Sequence, residues 1–270
     1  LLASAFFCLP IAALLATVCF TSLPAELRQR TPEQSLRVED RDGHLLRQVR
    51  TSSGALAQWV PLSAMPPLLP RLLVAVEDRR FYYHPGVDPF SVLRAAAGNA
   101  WRLRVVSGAS TITMQLARSV RPHRRSLWGK FTEMALALRI ESSLPKARIL
   151  EEYLNRVDFG PNLRGIGAAA QGYFGKSVAT LSLGEIALLA GMPQGPSAYS
   201  LQRYPVRAAA RRDRVLRIAS DAGLAPGDAI TLARAEPVHF QQRQPVFGAP
   251  HLIATLLGAQ SSILQVGLAG

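Results

Sequence analysis

From Pro67 onward, apolar residues recur at helical spacing in segments that prolines and glycines cut apart, and this pattern confines the chain to a mostly α fold. The stretch "LLPRLLVAVEDRR" predicts a helix over 68–80, and residues 88–104 predict a second, with Asp88 as N-cap and Pro89 at the first helical position. "ASTITMQLARSV" starts a third near Ser110 or Thr111, and "SLWGKFTEMALALRIESS" reads as a long fourth. "PKARILEEYLNRV" opens on Pro145, "LSLGEIALLAGM" is ended by Pro193, and the basic "PVRAAARRDRVLRIASDAG" closes with Gly223. A last helix is expected at about 226–235. No long repeat period interrupts this series.

Ahead of the helices the pattern changes. Residues 24–34 read as a linker, and "LRVEDRDGHLLRQV" places Asp42-Gly43 between two alternating runs, a hairpin signal. "GALAQWVPL" is a candidate third strand, giving a small β element at 35–62. Leu1 to Phe20 carries no charge and is long enough to cross a hydrocarbon core of ~30 Å. An uncleaved transmembrane anchor over 1–23 is expected, with a cleaved signal peptide as the alternative. The expected organisation is therefore an anchor at 1–23, a linker and small β element at 24–62, a helical domain at 63–240 and the start of a following region at 241–270. Both cysteines, Cys8 and Cys19, lie in the first segment, so no disulfide framework or cysteine-based metal site is available to the rest. The net charge of +13 suits an anionic membrane surface, a pyrophosphate or a nucleic acid. No nucleic-acid-binding module is recognisable.

The candidate chemistry begins at "AVEDRRFYYHPGVDP", residues 75–89. Glu77 ends an apolar run, where partial desolvation raises a carboxylate pKa and makes it a usable base. The competing reading is a helix-end carboxylate paired with Arg79 or Arg80. His84, followed by Pro-Gly, is read as a structural turn residue. "SGASTITMQLAR" puts hydroxyls and an amide (Ser110, Thr111, Gln115) at a helix start, a setting that binds phosphate, with Arg118 further along. Plain capping explains one or two of these residues. Lys130 and Glu133, three apart in "GKFTEMAL", share a helix face; a surface ion pair is the alternative. Most of "ILEEYLN" reads as packing.

Together these stretches resemble glycosyltransferase family 51, the peptidoglycan glycosyltransferase domains of class A penicillin-binding proteins. "EDRRFYYHPG" is similar to that family's E-D-x-x-F-x-x-H-x-G, "GASTITMQLARS" to G-G-S-T-I-T-Q-Q-x-x-K-N, "GKFTE" to R-K-x-x-E, and "KARILEEYLNRVDFG" to K-x-x-I-L-E-x-Y-L-N-x-x-x-F-G. "GIGAAAQGYFGK" and "EIALLAGMPQGPSAY" match two further stretches, and all occur in family order over residues 75–199. The "GAST" and "GK" variants look most like the penicillin-binding protein 1C branch. Departures are Gly129 for Arg, which removes one positive charge from the third motif, Met114 for Gln, Arg118 for Lys and Ser119 for Asn.

The resemblance implies a lysozyme-like, mostly α glycosyltransferase domain that polymerises lipid II and releases undecaprenyl pyrophosphate. It implies Glu77 as general base and Glu133 as second essential carboxylate, orienting Lys130 or the donor phosphates. Lys130 and Arg118 would neutralise the leaving group, with Ser110, Thr111 and Gln115 as hydrogen-bonding partners. It also implies Mg²⁺ or Mn²⁺ beside Asp78 and no organic cofactor. The implied partners are lipid II, the nascent glycan strand, membrane lipids and other cell-wall synthesis proteins, with no nucleic acid. The implied location is the bacterial plasma membrane, single-pass, with the catalytic domain on the extracytoplasmic side. Basic residues 207–217 would face anionic head groups, or simply water; Leu127 and Trp128 would dip into lipid. "SLPK", residues 143–146, has the form of a transpeptidase nucleophile motif, but Lys146 belongs to the fourth glycosyltransferase motif and no K-T-G follows. The Leu start and abrupt end are expected of a fragment whose next region is a transpeptidase domain; a monofunctional enzyme is the alternative. A glycan-cleaving lytic enzyme and a non-catalytic membrane scaffold also remain open.

Overall fold

A computed structural model describes residues 17–29, 34–39, 41–42, 45–94, 110–124, 126–195 and 198–237. The main helices are α1 (Leu68–Glu77), α2 (Ile112–Val120), α3 (Leu127–Ser143), α4 (Lys146–Arg156), α5 (Gly165–Phe174), α6 (Leu183–Gly191), α7 (Pro205–Asp221) and α8 (Gly227–Ala235). They follow the periodicity read from the sequence. Of the helix expected at 88–104, residues 89–94 are helical; Asp88 caps them, accepting from the Phe90 amide at 3.1 Å and from the Ser91 hydroxyl at 2.7 Å. The rest of that segment lies outside the described residues.

The packing centres on α6. It is apolar on every side, and Gly184 and Ile186 through Gly191 are all buried. A helix apolar all round must lie inside, and α6 is surrounded by α1, α5, α7 and α8. A Ser182–Glu185 capping box fixes its start. A second group, α2 with α3 and α4, joins the first through α5. One hydrophobic cluster runs through both groups, from Leu69 and Phe81 to Ile112, Ile140, Leu154, Leu189 and Leu216.

The β part departs from expectation. Strands β1 (Leu36–Glu39) and β2 (Leu45–Val49) form the antiparallel hairpin that Asp42-Gly43 signals. Strand β3 (Leu56–Ala57) does not extend it. It pairs in parallel with β5 (Leu163–Arg164), which is antiparallel to β4 (Asp158–Gly160), in a separate sheet of order β3-β5-β4. The hairpin β4–β5 turns through Asn162, at φ 60°. Segment 60–62 is then clamped onto α4. Asn155 donates to the Val60 carbonyl and accepts from the Val60 amide, both at 2.8 Å, and Glu151 accepts from the Leu62 amide at 2.8 Å. Most of "ILEEYLN" reads as packing, and its polar residues Glu151, Glu152 and Asn155 act as ion pairs and clamps. Buried Glu152 binds both Arg148 and Arg156.

Among the described residues no helix is long and apolar enough to cross a membrane. Most of the expected anchor, residues 1–16, lies outside them, as does the tail 238–270. A buried polar junction lies after α1. The Asp78 carboxylate is buried, accepts from the Ile112 amide at 3.0 Å and lies 3.0 Å from His84 Nε2. The Gly86 amide donates to His84 Nδ1 at 3.1 Å, so the ring proton is on Nε2 and points at Asp78. Gly86 is required here: at φ 98° it lies so close to α3 that a Cβ would stand 2.8 Å from the Ala137 carbonyl oxygen. Asp78→Ala strands this histidine and an amide, and is expected to cost about 3 kcal/mol, read as a lower midpoint in denaturant unfolding with an unchanged m-value.

Candidate active site

Glu77 is the last residue of α1, and its neighbour Asp78 ends the helix with extended backbone at φ −158°. The turn throws the two carboxylates into different surroundings. Asp78 faces the buried junction. Glu77 faces α2, where Gln115 Nε2 donates to its Oε2 at 3.0 Å. Gln115 in turn accepts from the Tyr153 hydroxyl of α4 at 3.0 Å. This chain fixes the Gln115 amide, so its N–H₂ end must point at Glu77. The other Glu77 oxygen, Oε1, is buried and has no hydrogen-bond partner among the described residues. Burial pushes the Glu77 pKa above the usual carboxylate range; the Gln115 hydrogen bond, the Arg211 charge and Gln194 pull it back, and Asp78 adds to the rise. Tyr153, fully buried beside this carboxylate, has its own pKa pushed well above 10.0, chiefly by burial and next by Glu77.

A second centre surrounds Glu133. Its carboxylate is buried and accepts from Lys130 Nζ at 2.6 Å, Arg118 Nε at 3.2 Å and Arg118 Nη2 at 3.4 Å, with His123 Nε2 at 3.1 Å. These contacts occupy both oxygens, so Glu133 organises cations and has no lone pair left to act as a base. Ser110 Oγ accepts from Lys130 Nζ at 2.6 Å and lies 3.5 Å from Arg118 Nη2. Among the described residues the remaining N–H groups of Lys130 and Arg118 have no protein acceptor. Gln115 and Arg118 are three apart on α2, which puts the Glu77 carboxylate and the cations on one face, with Cβ atoms about 5–6 Å apart.

The structure thus brings together Ser110, Arg118, Lys130 and Glu133, and separately Glu77 with Gln115. Thr111 and Asp78 do other work. Thr111 caps α2, accepting from the Met114 amide at 3.1 Å while its hydroxyl donates to the Gly86 carbonyl at 2.5 Å. Asp78 spends its oxygens on His84 and Ile112. It makes a poor cation ligand, and among the described residues no group of three or more His, Cys, Asp or Glu side chains could hold a metal ion. Sequence reasoning missed four residues. Tyr153 looked like core, and its hydroxyl contact is not visible in an apolar helix pattern. Arg211 belongs to residues 207–217, read as facing head groups or water, yet it is buried, donating to the Gly191 carbonyl at 2.9 Å and to Gln194 at 2.7 Å beside Glu77. Arg212 is likewise turned inward, onto the Arg234 and Glu236 carbonyls. His123 lay between motifs and carried no signal.

Comparison with known proteins gives the family. The model of the family described as Transglycosylase matches residues 42–220, and the chain belongs to that family. It is 41% identical over 221 residues to penicillin-binding protein 1C of Escherichia coli K12, covering 82% of this chain and 29% of the relative. It is 42% identical over 197 residues to penicillin-binding protein 1A of the same organism, covering 72% of this chain and 23% of that protein. The chain therefore spans less than a third of the length of these curated relatives. A crystal structure of penicillin-binding protein 1A from Haemophilus influenzae aligns over 88% of this chain and 25% of its own, with TM-score 0.48 and 23% identity.

The raised Glu77 pKa has a stability consequence. Between the unfolded value near 4.5 and the higher folded value, the folded state binds more protons than the unfolded one. Stability falls as pH rises through that window and stays lowered above it. Glu77→Gln is expected to raise Tm at neutral pH, with the gain gone below about pH 4.5, as read by calorimetry at both pH values.

Proposed function

We propose that the chain is a peptidoglycan glycosyltransferase that polymerises lipid II into β-1,4-linked glycan by inverting transfer. The observation that carries this is the shared face of α2. Gln115 holds a carboxylate with one oxygen free, and Arg118, one turn on, holds a cation cluster. That pairing suits a reaction with a proton to remove at one end and an anionic leaving group at the other. Oε1 of Glu77 takes the proton of the acceptor sugar's 4-hydroxyl. The oxygen attacks the anomeric carbon of the growing strand, and the bond from that carbon to the diphosphate oxygen breaks. The diphosphate departs with the electron pair, and Lys130 and Arg118 take up its charge. A divalent cation, where the reaction uses one, would arrive on the diphosphate rather than on Asp78. The mostly α architecture is in keeping with a lysozyme-like domain.

We place the domain on the outer surface of a bacterial plasma membrane, where a lipid-linked substrate is reached, with other cell-wall synthesis proteins as further partners. Exposed apolar side chains support membrane contact. Leu127 is 92% and Trp128 70% exposed at the first turn of α3, where Trp128 stacks on Phe131 at 5.5 Å. Phe90 and Leu93 are exposed on the helical turn 89–94. On α7 the arginines left outside are Arg207, Arg214 and Arg217.

The direct test is polymerisation of labelled lipid II in detergent. The chain is expected to make polymer, and Glu77→Gln none. The rate should fall as pH drops through a value above the ordinary carboxylate range, the direction of the Glu77 shift. Binding of lipid II without polymer would instead favour a scaffold. Trp128→Glu is expected to weaken binding to anionic liposomes roughly tenfold, measured by co-sedimentation; unchanged binding would remove Trp128 from the membrane contact.

A further inference from the structure

Gly129 lies in the first turn of α3, its amide donating to the Ser126 cap at 2.9 Å. Its backbone is ordinary helix, and glycine weakens a helix relative to alanine. The neighbours explain it. A Cβ at this position would stand 2.4 Å from His123 Nδ1 and 2.6 Å from the Arg124 carbonyl oxygen. The imidazole therefore rests on the bare Cα of Gly129. From that seat Nε2 reaches Glu133 Oε2 at 3.1 Å, one helical turn along, while Nδ1 lies 2.9 Å from the Arg124 carbonyl oxygen. Both partners are acceptors: a carbonyl, and a carboxylate that already takes Lys130 and Arg118. A neutral ring has one N–H and satisfies one of them; the imidazolium satisfies both.

We propose that His123 is the third cation of the Glu133 cluster, seated on Gly129 in place of the basic side chain that the third motif lacks. It is a positioning residue. By answering the Glu133 charge it leaves Lys130 and Arg118 free to turn their remaining N–H groups toward a diphosphate. The charged groups facing the ring are Arg118 from α2 and Lys130 and Glu133 from α3. Adding His123 takes the net charge of that set from +1 to +2. His123 and Gly129 then act as one unit: the ring needs the missing Cβ, and the missing side chain needs the ring. The identity of the ligand as a diphosphate rests on the proposed function.

The test is a double-mutant cycle on the whole chain in detergent, using His123→Ala, Gly129→Arg and the double variant. Binding of farnesyl pyrophosphate is measured by calorimetry, alongside lipid II polymerisation. Each single variant is expected to bind the diphosphate roughly tenfold more weakly and to raise KM more than it lowers kcat. The double variant, with a guanidinium where the ring was, is expected to recover to within about threefold of the unmodified chain. In the unmodified chain, ¹⁵N NMR at pH 7 is expected to show both His123 ring nitrogens protonated, a reading that does not depend on any variant folding. Wild-type binding by His123→Ala, a double variant no better than the singles combined, a neutral ring, or no diphosphate binding by any form would each overturn the proposal. Diphosphate binding that follows the cycle without polymerisation of lipid II would uphold it while refuting the proposed reaction.

Discussion

The buried carboxylate of Asp78 is the contact on which the rest of the site depends. It ends α1, takes the His84 N–H, and takes the first backbone amide of α2. One side chain thus fixes where α1 stops and where α2 begins. The neighbouring contacts repeat the same tie. Thr111 donates to Gly86, and Lys146 joins the His84 carbonyl to Glu141 at 2.7 Å each while its ammonium sits over the buried Phe81 ring. Thr113 reaches the same Glu141 at 2.6 Å. Residues scattered through the first, second and fourth motifs are thereby one hydrogen-bonded block. Glu77 adjoins that block along the chain.

Two adjacent carboxylates illustrate how surroundings divide labour. Asp78 has its acceptors filled and is a fixture. Glu77, one residue earlier, is desolvated and keeps an oxygen idle. Desolvation without full pairing costs folding stability, and it also makes a carboxylate basic enough to take a proton. Arg211 from α7 and Gln194 from the loop after α6 limit the rise. The basicity of Glu77 is therefore set jointly by α1, α2, α7 and the loop after α6, which explains why so small a group needs so large a scaffold.

The helical order was legible because each helix carries its own period, cap and stop, and these are local properties. Asp88 and Gly223 did in the fold what their residue types predict. Contacts that depend on distant segments were not legible. The pairing of β3 with β5 joins residues about a hundred positions apart in sequence, and "GALAQWVPL" has no feature that names its partner. Of the site, Glu77, Lys130, Glu133, Ser110 and Arg118 stood out as charged or polar residues at telling spacings, whereas Thr111 and Asp78 proved to be spent on backbone amides and on His84. Gln115 was seen as a phosphate contact, and its real neighbours are Glu77 and Tyr153. Arginines on a basic helix read alike in sequence; only packing separates the buried Arg211 and Arg212 from the exposed Arg207, Arg214 and Arg217.

The two faces of α4 carry one more implication. One face holds Tyr153, which aims Gln115 and through it Glu77. The other holds Glu151 and Asn155, which grip the backbone at Val60 and Leu62 just beyond β3. The helix is a stiff lever between the segment at 60–62 and the Glu77 carboxylate. The segment at Val60 and Leu62 is thereby tied through one helix to Gln115 and Glu77, so a disturbance at that outer edge reaches the carboxylate by way of Tyr153.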